Sequence, residues 1–170
     1  MPLSNPWPVP FILTPDTFAV VALAAFCASI LVVVLVAAEA QAFAATFLGD
    51  ARTGARDRFH FNVFLHLDLL GTLSFLVGGF GWPRPIQVDA DRFSRPRLYL
   101  FLTRLSAPVA LLLLANIVAS INYLMQAVGY DPRVFRLVLG VAVTTAVYHL
   151  VPLPPLAGGA LVYALIPPRF

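Results

Sequence analysis

The chain has 170 residues, of which 60% are hydrophobic and 11% charged, and its mean hydropathy is +0.87. Soluble domains carry about 25% charged residues, so the composition excludes an ordinary soluble domain and points to an integral membrane protein, at this length a single domain. The net charge is +3 with 11 cationic side chains, every one an arginine, and no basic stripe interleaved with aromatics is present, so nucleic acid is not an expected partner.

The first 18 residues, MPLSNPWPVPFILTPDTF, are proline-rich and lack the basic start of a signal peptide. Residues 1–14 are expected to form an extended or interfacial arm, with Trp7 near the lipid headgroups, and residues 15–170 a single membrane domain. Thr14-Pro15-Asp16 suits a helix start with proline in the first turn. The stretch Phe18–Ala38 carries no charge and no proline, about the ~20 residues a helix needs to cross a bilayer. A first span is therefore expected over residues 15–48. It contains the single cysteine, Cys27, which can make no intrachain disulfide and reads as a small packing residue. Its end carries Glu39, the sole glutamate of the chain. A carboxylate there is costly to ionise in lipid, so it should face protein or water.

A short charged segment follows at 50–60, with Arg52, Arg56 and Arg58, and its arginines favour a cytoplasmic position. Residues 60–80 are apolar again but include His66, Asp68, Gly71, Gly78 and Gly79. This segment is marginal for a full crossing, and a re-entrant element that dips in and returns is the alternative. The loop 81–97 holds Pro83, Pro85 and Pro96 and favours extended backbone. Residues 98–129 read as a long helix with Arg104 near its start, residues 130–132 as a turn, and residues 134–150 as another span. The stretch VPLPPLAGG, 151–159, cannot be ordinary helix, because its prolines remove donors and clash with preceding turns. Helix is expected to resume over 160–166 and to end at Pro167-Pro168. The expected fold is thus all-α, with about four transmembrane or re-entrant helices and a proline-broken last helix. Irregular backbone at membrane depth survives only where protein or a wet cavity covers it, so the break marks either a site or a kink that lets helices pack.

Five segments, in order, resemble the compact bacterial form of the site-2 protease family of intramembrane zinc metallopeptidases. AAEAQAFAATFLGD, 37–50, is similar to the family's HExxH helix ending in LGD, with Glu39 on the general-base position and Ala38 and Ala42 on the two histidine ligands. NVFLHLDLLGTL, 62–73, resembles NPxxHLDPxGTL. FGWPRPIQVD, 80–89, resembles FGWAKPVPVN, and LSAPVALL, 105–112, resembles LAGPLSNL with Leu111 in place of the asparagine. HLVPLPPLAGG, 149–159, resembles NLLPIPPLDGG, which sets Ala157 at the aspartate ligand and His149 at the asparagine.

The resemblance implies a site-2-protease-like core in a multi-pass protein of the bacterial inner membrane. It also implies a zinc site whose ligand positions, Ala38, Ala42 and Ala157, carry methyl groups. A catalytic zinc needs about three protein ligands, so the expectation is no metal, no other cofactor and no enzyme. What remains is a protease-like structural or accessory subunit of a larger membrane complex, with a regulatory pseudoprotease that binds a transmembrane substrate as the alternative. The further alternative is a metallopeptidase whose metal is held by His66, His149 and Glu39. The expected partners are lipid and other integral membrane subunits, packed through small residues such as Ala40, Gly158 and Gly159. The candidate buried polar residues are Glu39, His66, Asp68 and His149. Two readings of His149 stand side by side: a hydrogen bond to Glu39, or a core histidine bonded to backbone carbonyls near the proline break.

Overall fold

Length decides which helices can cross a bilayer. The computed structural model describes residues 20–50, 61–131 and 133–166, and these form five α-helices: α1 (Val20–Phe47), α2 (Leu69–Gly78), α3 (Pro96–Ala127), α4 (Arg133–Tyr148) and α5 (Ala157–Leu165). No strand is present among the described residues beyond a single antiparallel bridge between Leu67 and Pro83. The 28 residues of α1 and the 32 of α3 reach beyond the ~30 Å of a hydrocarbon core at ~1.5 Å per residue. Both are apolar enough to span it. The 10 residues of α2 cover only about 15 Å, and the 16 of α4 about 24 Å. The expected arm at 1–14, the arginine cluster at 52–58, His60 and the Pro167-Pro168 end lie outside the described residues.

The helices α1, α3 and α4 pack on one another around Phe26, Val33, Val34, Leu111 and Val141, with Phe75 of α2 closing the cluster. Small residues line the contact: Ala37, Ala107, Ala115, Ala142 and Ala146 are all buried. In lipid, where tails are as apolar as leucine, close backbone approach through such residues is what holds helices together.

The segment between α1 and α3 returns to where it began. Asp50, at the end of α1, is fully buried, and its Oδ2 accepts the Asp89 backbone N–H at 2.9 Å. The start of the 50–60 loop and the 81–97 loop therefore meet at one end of α1, and the 10-residue α2 between them is half a crossing long. The chain thus returns to the end of α1 from which it set out. The caps are local. Asn62 Oδ1 accepts the Phe64 N–H at the start of a 3₁₀ turn, Val63–His66, and Asp68 Oδ1 accepts the Gly71 N–H at the start of α2. Gly79 ends α2 in the left-handed region, φ +74°.

A topology experiment follows. With Cys27 replaced by alanine, single cysteines at Gly54 and Ala90 are expected to react with a membrane-impermeant maleimide from the same side of sealed vesicles. Labelling from opposite sides would contradict the returning path.

The last helix starts three residues earlier than expected, at Ala157 rather than 160. Leu156 is its N-cap and Pro155 lies one residue further out, so nothing prevents helix from Ala157 onward. The turn ahead of it closes through a Gly158 N–H to His149 carbonyl hydrogen bond of 2.9 Å. Gly158 and Gly159 sit against the backbone of Leu150–Pro154 of their own chain.

Candidate functional site

Glu39 is in the third quarter of α1, on a stretch whose neighbours Ala37, Ala38, Gln41 and Ala42 are buried. Its Oε1 lies 3.2 Å from Nε2 of His66, with 5% of the histidine side chain and 16% of the glutamate side chain exposed. The histidine is held from its own backbone: the Arg84 N–H donates to the His66 carbonyl at 2.7 Å, and Leu67 bridges to Pro83. A strand-like contact thus fixes the 3₁₀ turn, and the turn delivers the imidazole to α1. A carboxylate so placed holds the ring nitrogen facing it in the protonated form and sets the tautomer. Of the two side chains, the glutamate is the more exposed.

His149 goes elsewhere. It is buried, and its Nδ1–H donates to the Thr145 carbonyl oxygen at 2.8 Å, one turn back on α4. It does not join Glu39. Asp68 serves as the cap of α2.

The three positions to which the resemblance assigns metal ligands are closed. Ala38 and Ala42 are 0% exposed and Ala157 is 1% exposed. Methyl groups offer no lone pair, and among the described residues no three His, Cys, Asp or Glu side chains gather where they could hold a metal ion. The three alanine side chains themselves cannot be the zinc ligands that the resemblance assigns to their positions. Of the set His66, His149 and Glu39, the structure brings His66 and Glu39 together, while His149 bonds to the Thr145 carbonyl instead.

One polar connection escaped the sequence reading. Arg104, on α3, donates from one guanidinium nitrogen to Gln41 Oε1 at 2.6 Å and makes a longer contact, 3.4 Å, from the other to the Ile86 carbonyl. It ties α1, α3 and the 81–88 segment together beside the buried Ala42, Ala45 and Ile86. The signal was available: one cation inside a long apolar helix must find a partner, and Gln41 is one of two neutral polar residues, with Thr46, on the alanine-rich end of α1. The cost of breaking this tie should be asymmetric. Gln41→Leu leaves a half-buried charge with one weak acceptor, at about 2–3 kcal/mol. Arg104→Met removes the charge and strands only neutral acceptors, at about 1 kcal/mol. Thermal unfolding in detergent micelles compares them, and equal losses would rule out this account of the tie.

Comparison with known proteins adds one relative. The chain is 35% identical over 138 residues to a protein of Bacillus subtilis (strain 168) named "Putative zinc metalloprotease YwhC". The match takes in 76% of this chain and 63% of that protein, so the chain spans less than two thirds of the relative's length. No family model matches the chain, and no solved structure does.

That likeness corrects one expectation. The alanines at 38, 42 and 157 suggested that the chain is no enzyme. The relative, alike over most of this chain, carries the name of an enzyme. Inferring inactivity from one set of missing donors assumes that no other route to activity exists, and the likeness removes the ground for that assumption.

Proposed function

We propose that this chain is a membrane-embedded, metallopeptidase-like protein of the site-2 protease kind, which receives a segment of another protein's transmembrane helix at the Glu39–His66 pair. The observation that carries the reading is that pair: a carboxylate and an imidazole at 3.2 Å, on a helix long enough to cross the membrane. Its support is the likeness to a protein named as a zinc metalloprotease and the five-segment resemblance. In this reading Glu39 and His66 handle protons at the bound segment. Such assistance is worth about 10²–10⁴-fold. The remaining apolar faces of α1 and α3 lie against lipid and against helices of other integral membrane proteins, through which substrate arrives.

Because acid–base help alone falls far short of amide hydrolysis, the test uses the full chain in native membranes, where every other component is present. A photo-crosslinking residue at Leu65, exposed beside His66, is expected to capture transmembrane peptides, and a membrane-tethered reporter is expected to be cut in a manner lost in Glu39→Gln. Capture no greater than from exposed Val147 on α4, together with an uncut reporter, would sink the proposal.

A further inference from the structure

A second feature lies away from the Glu39–His66 pair, where the start of α3 meets the end of α5. A groove of about 470 Å³ opens there between the two helices, within the ~300–1,000 Å³ of small-molecule sites. Its walls are apolar, chiefly Leu98, Phe101, Leu161 and Leu165, and its mouth carries Arg95 and Arg97.

The mouth is electropositive for several independent reasons. Arg95 is exposed and is the N-cap of α3 without a side-chain cap bond, and the first turn of α3 contains no acidic residue. The unsatisfied N–H groups and the helix dipole add positive potential at that end. Among the described residues no carboxylate pairs with Arg95 or Arg97, whereas Arg92, Arg133 and Arg136 each have an aspartate. Arg97 is also held in position. One nitrogen donates to the Ile166 carbonyl, and the guanidinium lies 5.4 Å from the centre of the Tyr163 ring. A guanidinium has five N–H donors, so this anchoring leaves others for an anion.

Depth fixes the kind of ligand. α3 is long and apolar enough to cross a membrane, and a helix that crosses carries its first turn towards the headgroups and the next turn, with Phe101, towards the acyl chains. Tyrosine at 163 suits the same interface. A phosphate at the mouth and a hydrocarbon chain along the walls match this charge and polarity, as basic pockets between transmembrane helices do for acidic lipids.

We propose that this groove holds one anionic phospholipid, its phosphate on Arg95, Arg97 and the start of α3, and an acyl chain along Phe101 and Leu161. The site rests on α3 spanning the membrane and is independent of any peptidase activity.

The test is native mass spectrometry of the full chain released from nanodiscs of phosphatidylglycerol and phosphatidylcholine in equal parts. Wild type is expected to retain one phosphatidylglycerol in preference to phosphatidylcholine. Arg95→Ala should lower that preference about fivefold, the worth of one arginine near an anionic headgroup. Ala164→Trp, which fills the groove without altering charge, should abolish retention of either lipid. Circular dichroism and a monodisperse size-exclusion peak report that each variant is folded, so a failure here is separable from failure of the peptide-binding reading. Equal retention of both lipids by wild type, or retention untouched by Ala164→Trp, would overturn the proposal. So would displacement of the lipid by millimolar inorganic phosphate, which would mark a site for free anion.

Discussion

Replacing Glu39 with alanine is expected to cost about 2 kcal/mol of stability, the range for a hydrogen bond to a charged group, and to abolish capture of peptide at Leu65. The alanine leaves the His66 Nε2–H without its acceptor in a place where only 5% of that side chain meets solvent. The loss should stay below the ~3–5 kcal/mol of a fully buried pair, because the glutamate side chain is 16% exposed and water can replace part of what is lost. Glu39→Gln separates structure from chemistry. Its amide oxygen still accepts from Nε2, so stability should be largely retained, while a neutral amide takes up no proton and reporter cleavage should disappear. Unfolding in micelles and the cleavage assay together decide. If Gln and Ala match wild type in both, the contact is incidental. If Gln is as unstable as Ala, charge rather than hydrogen bonding holds the pair.

The second large effect is expected at Gly158. A Cβ there would overlap the carbonyl oxygens of Leu150 and Val151, and would lie 2.6 Å from the Leu150 carbonyl carbon. Those are backbone atoms and cannot turn aside as a side chain would. Gly158→Ala must open the turn that carries the chain from α4 into α5 and break the Gly158 N–H to His149 carbonyl hydrogen bond. A loss of about 3 kcal/mol, the upper range for overpacking, is expected, with a matching fall in monodisperse protein on size exclusion. Gly129→Ala is the control. It has open space around it and φ +80°, so it should cost only the ~1–2 kcal/mol of left-handed backbone. A Gly158 variant no worse than the Gly129 variant would show that the turn tolerates expansion.

What could be read from the sequence followed periodicity and punctuation. The two long helices were visible as apolar runs bounded by prolines and glycines, and Val20–Phe47 and Pro96–Ala127 fall within a few residues of the expected ranges where they are described. The proline break after α4 was visible for the same reason, since Pro152, Pro154 and Pro155 forbid helix. Its end was misjudged because AGGA at 157–160 looks like loop by composition. In the fold, Gly158 and Gly159 are helical because only they let α5 lie on the Leu150–Pro154 backbone. That is a tertiary demand, invisible to local propensity.

The site was half legible. Glu39 stood out as a lone carboxylate at the end of an apolar helix. Which histidine it meets depended on the path of residues 61–88. His149 is nearer to the proline break and looked the better candidate. His66 wins because the Leu67–Pro83 bridge and the Arg84–His66 backbone bond fold the segment against α1. No periodic signal encodes a single bridge between two irregular stretches. Arg104 and Gln41 lie 63 positions apart and were missed for a related reason: each is unusual in its own helix, but nothing local pairs them.

The returning path of residues 61–95 has a consequence for biogenesis. Its central helix is too short to be recognised as a span while the chain emerges, and the backbone around Pro83 and Pro85 has no regular ladder of its own. Its two short turns pack on different long helices, Val63–His66 on α1 and Ala90–Arg92 on α3, whereas Leu69, Leu70 and Val77 of α2 stay exposed. α3 is made later. The contact of Ala90–Arg92 with α3 can form only once α3 exists, so residues 61–95 are expected to take their final path after α3 has been made. Nascent chains halted before α3 should be open to added protease between residues 61 and 95, and finished ones closed to it.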